Sequence, residues 1–281
     1  METPILISTA AYDGYDFAVA FKEIAELGAD RVELAFIAGY TDPFTEDFFS
    51  EANARMLAGL LAEYQLACPS FSSHMDLSRE PAVDIFKKRM DFARRVGARY
   101  IISNAGPRQR KRAFMRNMEA LARWAEATDM IIALENPGDG QANIIDSARS
   151  GAGIIHAIGC EAVKLNYDFG NLISHCFEKV RPEEDYKYAA AVTAHYHLKD
   201  VAAHAGGWHF TEIGQGMIDY RQILTELAAT PAPQPVSLEI PLRVSRAADA
   251  SPRRAPAPVA LEEIRRVLAG SLDFVKSLLS P

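Results

Sequence analysis

The chain has 281 residues, 49% hydrophobic and 24% charged, a globular balance able to bury a large core. Its net charge of −7 argues against a nucleic-acid surface, which needs clustered cations to neutralise phosphates; the short runs Arg108 to Arg112 and Arg253-Arg254 read as solvated surface. No apolar run is long enough to span a membrane, METPIL opens without a basic segment, and Cys68, Cys160 and Cys176 form no CxxC pair, so the expectation is a cytoplasmic protein with no disulfides and no membrane partner.

The first predicted strand is PILIST (4–9), followed by FAVAFKEIAELG, whose Phe17, Ala20, Phe21, Ile24 and Leu27 fall at helical spacing before the stop at Gly28. RVELAF (31–36), LACPSFSSH (66–74), RYIISN (99–104), MIIALEN (130–136), AVKLNYD (162–168), TAHYHLKD (193–200) and PVSLEIP (235–241) are the further strands. Between them lie the amphipathic stretches 54–64, 82–97, 114–128, 142–159 and 220–230, with 261–279 closing the chain. The connection after the sixth strand is the poorest, with only PEEDYKYAAA (182–191) offering a helix. Eight strands alternating with helices imply βαβ units and a parallel sheet. The expectation is one (β/α)8 TIM barrel over residues 1–281. The alternative, an open doubly wound sheet, predicts a glycine-rich phosphate turn after the first strand, and STAAYDGYD has no GxGxxG. RVSRAADASPRRAPAP (243–258) reads as a long mobile loop after the eighth strand that could cover a site or cross to a neighbouring copy.

Active sites of such barrels sit at the C-terminal ends of the strands. Those ends carry Glu33, His74, Asn104, Glu135, Asp168, His197 and Glu239 in chain order. Strands five to eight therefore deliver Glu, Asp, His and Glu to one level. Three converging carboxylates repel unless protonated or neutralised, and a divalent cation resolves the conflict. One imidazole among carboxylates suits Mn, Mg, Co, Zn or Fe(II) better than a soft metal. His195 shares a face with His197 because strand side chains alternate, but lies one pleat deeper and reads as a core residue.

The residues ALENPGD, KLNYDFGN, HYHLKDV, EIGQGMIDYRQI and SLEIP resemble the sugar phosphate isomerase/epimerase superfamily with the xylose isomerase-like barrel. That group includes ketose 3-epimerases, hydroxypyruvate isomerases, inosose-processing enzymes, dehydroshikimate dehydratases and apurinic endonucleases. The resemblance implies that Glu135, Asp168, His197 and Glu239 bind one divalent metal, Mn first, and that Glu135 and Glu239 double as the bases that move a proton. Two departures are informative. Asn171 stands where many epimerases place a substrate-binding His, and Asn104 and Asn171 replace histidines that the three-zinc endonucleases need. The turn Gly214 to Asp219 reads as structural.

The resulting expectation is a metal-dependent isomerase or epimerase acting through an enediolate formed at a metal-bound hydroxyketone. A dehydratase of a cyclic keto-acid or keto-polyol, such as 3-dehydroshikimate or an inosose, is the second reading, and a non-catalytic metal- or sugar-binding barrel the third. Further candidates for substrate contact are His74, Asn104, Asn171, Lys199 and His209, with Trp208 walling the site. Glu33 is placed at the mouth, anchoring His74 or substrate, and Arg243 against an anionic substrate group. The expected partner is a small sugar, keto-polyol or keto-acid, with a homo-oligomer as an option.

Overall fold

The computed structural model describes residues 3–279. Eight parallel strands close into a barrel: β1 (Ile5–Ser8), β2 (Arg31–Ala35), β3 (Ala67–Ser72), β4 (Tyr100–Asn104), β5 (Ile131–Glu135), β6 (Val163–Asp168), β7 (Thr193–Leu198) and β10 (Val236–Leu238), which hydrogen-bonds β1 to complete the ring. Around it run α1 (Phe17–Glu26), α2 (Glu51–Glu63), α3 (Ala82–Arg95), α4 (Lys111–Ala127), α5 (Ala148–Ile158), α6 (Phe169–His175), α7 (Pro182–Asp185), α8 (Tyr220–Ala228) and α9 (Leu261–Leu279). The expected TIM barrel is the observed fold. Alternation along the strands explains its stability. Val32, Leu34, Phe71, Ile101, Ile132 and Leu134 are fully buried within the apolar core cluster that also takes in residues of the surrounding helices, while Glu33, Ser70, Asn166, His195, His197 and Ser237 between such positions bond to one another across the lumen.

Local chemistry sets the element ends. Ser147 and Ser150 form a reciprocal capping box at the start of α5, and Gly159 ends that helix at φ +65°. Residues 142–146, expected to be helical, are therefore the irregular stretch that precedes the cap at Ser147. The weak connection before β7 is α7 followed by a 3-10 turn over Tyr186–Val192.

Two expectations need correction. The seventh strand stops at Leu198, and Asp200 begins a different sheet. The 243–258 stretch is likewise not a mobile loop. Its strands β11 (Val244–Ala247) and β12 (Pro252–Arg254) join β8 (Asp200–His204) and β9 (Gly207–Thr211) in a four-stranded antiparallel sheet on the same chain's barrel, in the order β12-β11-β9-β8. Ion pairs, centred on the buried Asp13, hold it there. Arg243 and Arg254 reach Asp13 at 3.3 and 2.7 Å, and Arg254 also reaches Asp42 at 2.6 Å. Arg254 is thus an anchor rather than solvated surface, a role that local composition rich in Pro, Ala and Ser conceals because its partners lie more than 200 residues away. All three cysteines are free, and no described helix is long and apolar enough to cross a membrane.

Candidate metal centre

Four strand ends bring Glu135, Asp168, His197 and Glu239 together, each with at most 1% of its surface exposed, and one donor atom from each lies within 4.8 Å of the others. Strand register makes this so. Asp168 pairs with His197 between β6 and β7, and His197 pairs with Ser237, two residues before Glu239. Asp168 is also the N-cap of α6: Oδ1 accepts the Asn171 amide at 2.8 Å, which leaves Oδ2 for the centre.

The hydrogen bonds around the centre divide its oxygens into engaged and free. Glu135 is held from two sides, with Oε2 accepting Asn166 Nδ2 at 2.6 Å and Oε1 accepting Asn171 Nδ2 at 3.0 Å. Lys199 Nζ lies 2.7 Å from Asp168 Oδ2 and 2.5 Å from Glu239 Oε2. Asp168 Oδ2, Glu239 Oε1 and His197 Nδ1 are buried without an aligned hydrogen bond, although Lys199 stands at ion-pair distance from Asp168 Oδ2. Nδ1 nevertheless sits 2.9 Å from Glu135 Oε2, 3.3 Å from Glu239 Oε2 and 3.8 Å from Asp168 Oδ2; these are ion-pair distances without hydrogen-bond alignment. Buried polar atoms are seldom left unpaired, and such atoms on three carboxylate- or imidazole-bearing strand ends are the donor set a hard divalent cation takes. The residues fit a metal.

Glu33 completes the histidine's orientation. His197 Nε2 lies 3.1 Å from Glu33 Oε1 and 3.2 Å from Oε2. A carboxylate only accepts, so Nε2 carries a proton and Nδ1 faces the centre, the carboxylate–histidine arrangement that fixes a metal-binding tautomer. Burial disfavours charge on His197, but Glu239, Glu33 and Glu135 outweigh it and raise its pKa well above the ordinary value. In the metal-free protein that shift favours a proton on Nδ1 as well. Burial raises the Asp168 carboxyl to about 6 against the pull of Lys199. Burial likewise raises Glu33, but His197 reverses it and brings it down to about 2.

One layer deeper lies a second acid–imidazole group, Glu33, His195 and His197. Here the partners are present. Glu33 Oε2 accepts the Ser70 hydroxyl at 2.8 Å, His195 Nδ1 donates to Asn166 Oδ1 at 2.8 Å, and the single Ser237 hydroxyl proton lies between Glu33 Oε2 at 2.9 Å and His195 Nε2 at 3.0 Å and serves one of them. Burial lowers the His195 pKa to about 4, so it is neutral, as a satisfied core histidine should be.

A cavity of about 420 Å³ opens above the centre, of the size that takes a small ligand. Among the residues singled out in the sequence, His74, Asn104, Glu135, Asn171, Lys199 and Glu239 line it. His74 is fixed by Asn104 Oδ1 at 3.1 Å and Ser72 Oγ at 3.2 Å. The remaining candidates lie elsewhere. Glu33 is beneath the metal centre rather than at the mouth and anchors His197, not His74. Trp208 is buried in β9 with its indole N–H on Glu178 at 2.6 Å, and His209, alternating with it, is exposed beside His204. Arg243 is consumed by Asp13 and by the Ala255 and Pro256 carbonyls. Tyr40 and Arg246 do line the cavity, and nothing in their local sequence marks them, because one sits in the loop after β2 and the other in the stretch read as unstructured. A larger cavity of about 650 Å³ lies between the loops after β1 and β2, but none of the four metal-centre side chains reaches it.

The turn from Gly214 to Asp219 is structural. Asp200 accepts the amides of Val201, Gly214, Gly216 and Ile218 at 2.9 to 3.3 Å, and a Cβ on Gly216 would collide with that carboxylate.

Comparison with known proteins agrees with the barrel. The family model described as xylose isomerase-like TIM barrel matches residues 21–268, and the chain belongs to that family. No curated protein sequence matches significantly. Among solved structures, D-psicose 3-epimerase from Clostridium cellulolyticum H10 superposes with a TM-score of 0.77 at 15% identity, covering 100% of both chains. The probable 3-DHS dehydratase of petrobactin synthesis from Bacillus anthracis gives 0.70 at 14% identity, covering 98% of this chain and 99% of that one. The 3-keto-D-glucoside 4-epimerase from E. coli gives 0.71 at 15% identity, with 98% and 100% covered. At these identities the likeness is one of fold.

Proposed function

We propose that the protein is an enzyme, a divalent-metal-dependent isomerase or epimerase of a sugar or related hydroxyketone, with Glu135, Asp168, His197 and Glu239 holding one cation, Mn before Mg, Co, Zn or Fe(II). The observation that carries the reading is Glu239 Oε1, a buried carboxylate oxygen without a partner on a residue that lines the cavity beside the metal donor set. A cation bound there supplies Lewis-acid stabilisation for negative charge developing on a substrate oxygen next to the carbon that loses its proton. Glu239, which both belongs to the donor set and lines the cavity, is the residue we assign to take that proton. Lys199 on its other oxygen keeps the carboxylate ionised and fixed. Glu135, oriented by Asn166 and Asn171, is placed to return a proton from its own side of the cavity. Return to the same carbon on the opposite face is epimerisation, and return to the neighbouring carbon is aldose–ketose isomerisation. The printed activities of the epimerases of like fold support this assignment.

The second reading, dehydration of a cyclic keto-acid, begins with the same proton abstraction and ends with loss of a β-hydroxyl. The unpaired Arg246 in the cavity wall favours it. Both are tested by incubating the Mn-loaded protein with ketoses, inososes, 3-keto sugars and 3-dehydroshikimate in deuterated water. Deuterium at carbon with retained composition supports the first reading, and loss of water with new ultraviolet absorbance supports the second. Full metal occupancy with neither outcome on any compound contradicts both and leaves the non-catalytic binding barrel.

A further inference from the structure

Three arginines of the described chain are buried, Arg89, Arg243 and Arg246. Arg89 pairs with Glu46 and Arg243 with Asp13. Arg246 is 4% exposed and, among the described residues, has no carboxylate within 4.0 Å. Its Nη1 donates to the Ala250 carbonyl at 3.1 Å, while Nε has no partner. The antiparallel sheet delivers it: β11 sets Arg246 opposite Trp208 of β9 and Pro252 of β12, and the side chain ends in the wall of the cavity over the metal centre. Gly138 makes room, since a Cβ there would sit 2.7 Å from Arg246 Nη2.

Tyr40 faces the same space. Its ring lies 5.2 Å from the Arg246 guanidinium carbon, and its hydroxyl is buried without a partner. Asp139 of the same cavity feels the Arg246 charge but forms no ion pair with it within 4.0 Å; a buried cation without a paired carboxylate is costly, and two unpartnered donors on one wall of a ligand cavity define a site for an acceptor. Lys199, the other cation of the wall, is already committed to Asp168 and Glu239.

We propose that Arg246 and Tyr40 form a carboxylate subsite, so that the substrate is an acidic hydroxyketone rather than a neutral sugar. The inference rests on the metal-dependent reading above and narrows its substrate class. A single uncommitted guanidinium balances one negative charge, and its planar fork matches the two oxygens of a carboxylate. A doubly charged phosphate would leave charge uncompensated.

The test uses the full Mn-loaded chain and three ketoses that differ only at carbon six: D-fructose, D-fructuronate and D-fructose 6-phosphate, with affinities measured calorimetrically. Fructuronate should bind about tenfold or more tighter than fructose, from charge-assisted hydrogen bonds. Arg246→Gln should remove that advantage, about 10- to 100-fold in fructuronate affinity, with a far smaller change for fructose and the same Mn stoichiometry. Tyr40→Phe, which deletes only a hydroxyl, should weaken fructuronate several-fold and leave thermal stability in place. The proposal is overturned if fructuronate and fructose bind alike, if fructuronate does not bind at millimolar concentration, if the phosphate binds tightest, or if the substitutions weaken both sugars equally. Solvent deuterium entering fructose while fructuronate gains no affinity would remove the carboxylate subsite and leave the metal-dependent reading standing.

Discussion

The barrel lumen holds two layers of acid and imidazole, both fully buried, and they differ in what remains unsatisfied. In the lower layer Glu33 and His195 meet Ser70, Ser237 and Asn166. The one oxygen left over, Glu33 Oε1, shares the proton of His197 Nε2. In the upper layer one donor atom from each of Glu135, Asp168, His197 and Glu239 gathers within 4.8 Å, and atoms of Asp168, Glu239 and His197 make no aligned hydrogen bond. The same residue types at the same burial therefore do different work. Where hydroxyls and amides supply most partners, a polar layer is held together by its own hydrogen bonds, and where carboxylates and an imidazole meet with fewer of them, the layer is compatible with a bound cation. His197 belongs to both, with one nitrogen on each side.

Perturbing each layer separates their roles. The largest effect is expected in the upper one. Glu239→Gln keeps the shape but removes the base, and should reduce solvent exchange of a substrate C–H by about 10²- to 10⁴-fold, measured by NMR in deuterated water; retained exchange would reassign the base. Next comes the link between layers. Glu33→Gln should weaken Mn binding by about 10- to 100-fold without unfolding the chain, read by calorimetry, because Nε2 loses its charged anchor.

The pH dependence is the third probe. His197 has a raised pKa in the metal-free protein, so its contribution to metal-free stability is complete below the unfolded value near 6.5 and disappears as pH rises through the folded value. Mn must displace that proton. Metal affinity should therefore climb with pH, by about tenfold per unit for one displaced proton, until the folded value is passed, and the melting-temperature gain from Mn should widen accordingly. A flat profile would mean that His197 is not a ligand. The smallest effect belongs to the lower layer. His195→Gln should cost about 1–3 kcal/mol of stability by orphaning buried partners while Mn affinity changes little; a large loss of Mn affinity would erase the distinction between the layers.

Much of this was legible in the sequence, for physical reasons. Parallel strands buried on both sides show as apolar runs, and acids terminating such runs in IIALENP and VSLEIP stand out because an isolated buried carboxylate is costly. The strand-end rule then aligns Glu135, Asp168, His197 and Glu239 without coordinates. What escaped depends on partners distant in the chain. Arg254 finds Asp13 and Asp42 across more than 200 residues, so 243–258 looks like linker although it is half of an ordered sheet. Tyr40 and Arg246 sit in connections whose spacing carries no period. Trp208 and His209 misled because a strand, not a loop, carries them: alternation buries one against Glu178 and turns the other to solvent.

The central claim is that Glu135, Asp168, His197 and Glu239 of the upper layer hold one cation. Titrating the metal-free protein with Mn(II) and following free Mn by electron paramagnetic resonance tests it directly. The signal should be quenched to a ratio of about one Mn per chain, and Asp168→Asn combined with His197→Ala should restore it. Free Mn that stays undiminished with the native chain, or is taken up equally by the double variant, would contradict the account.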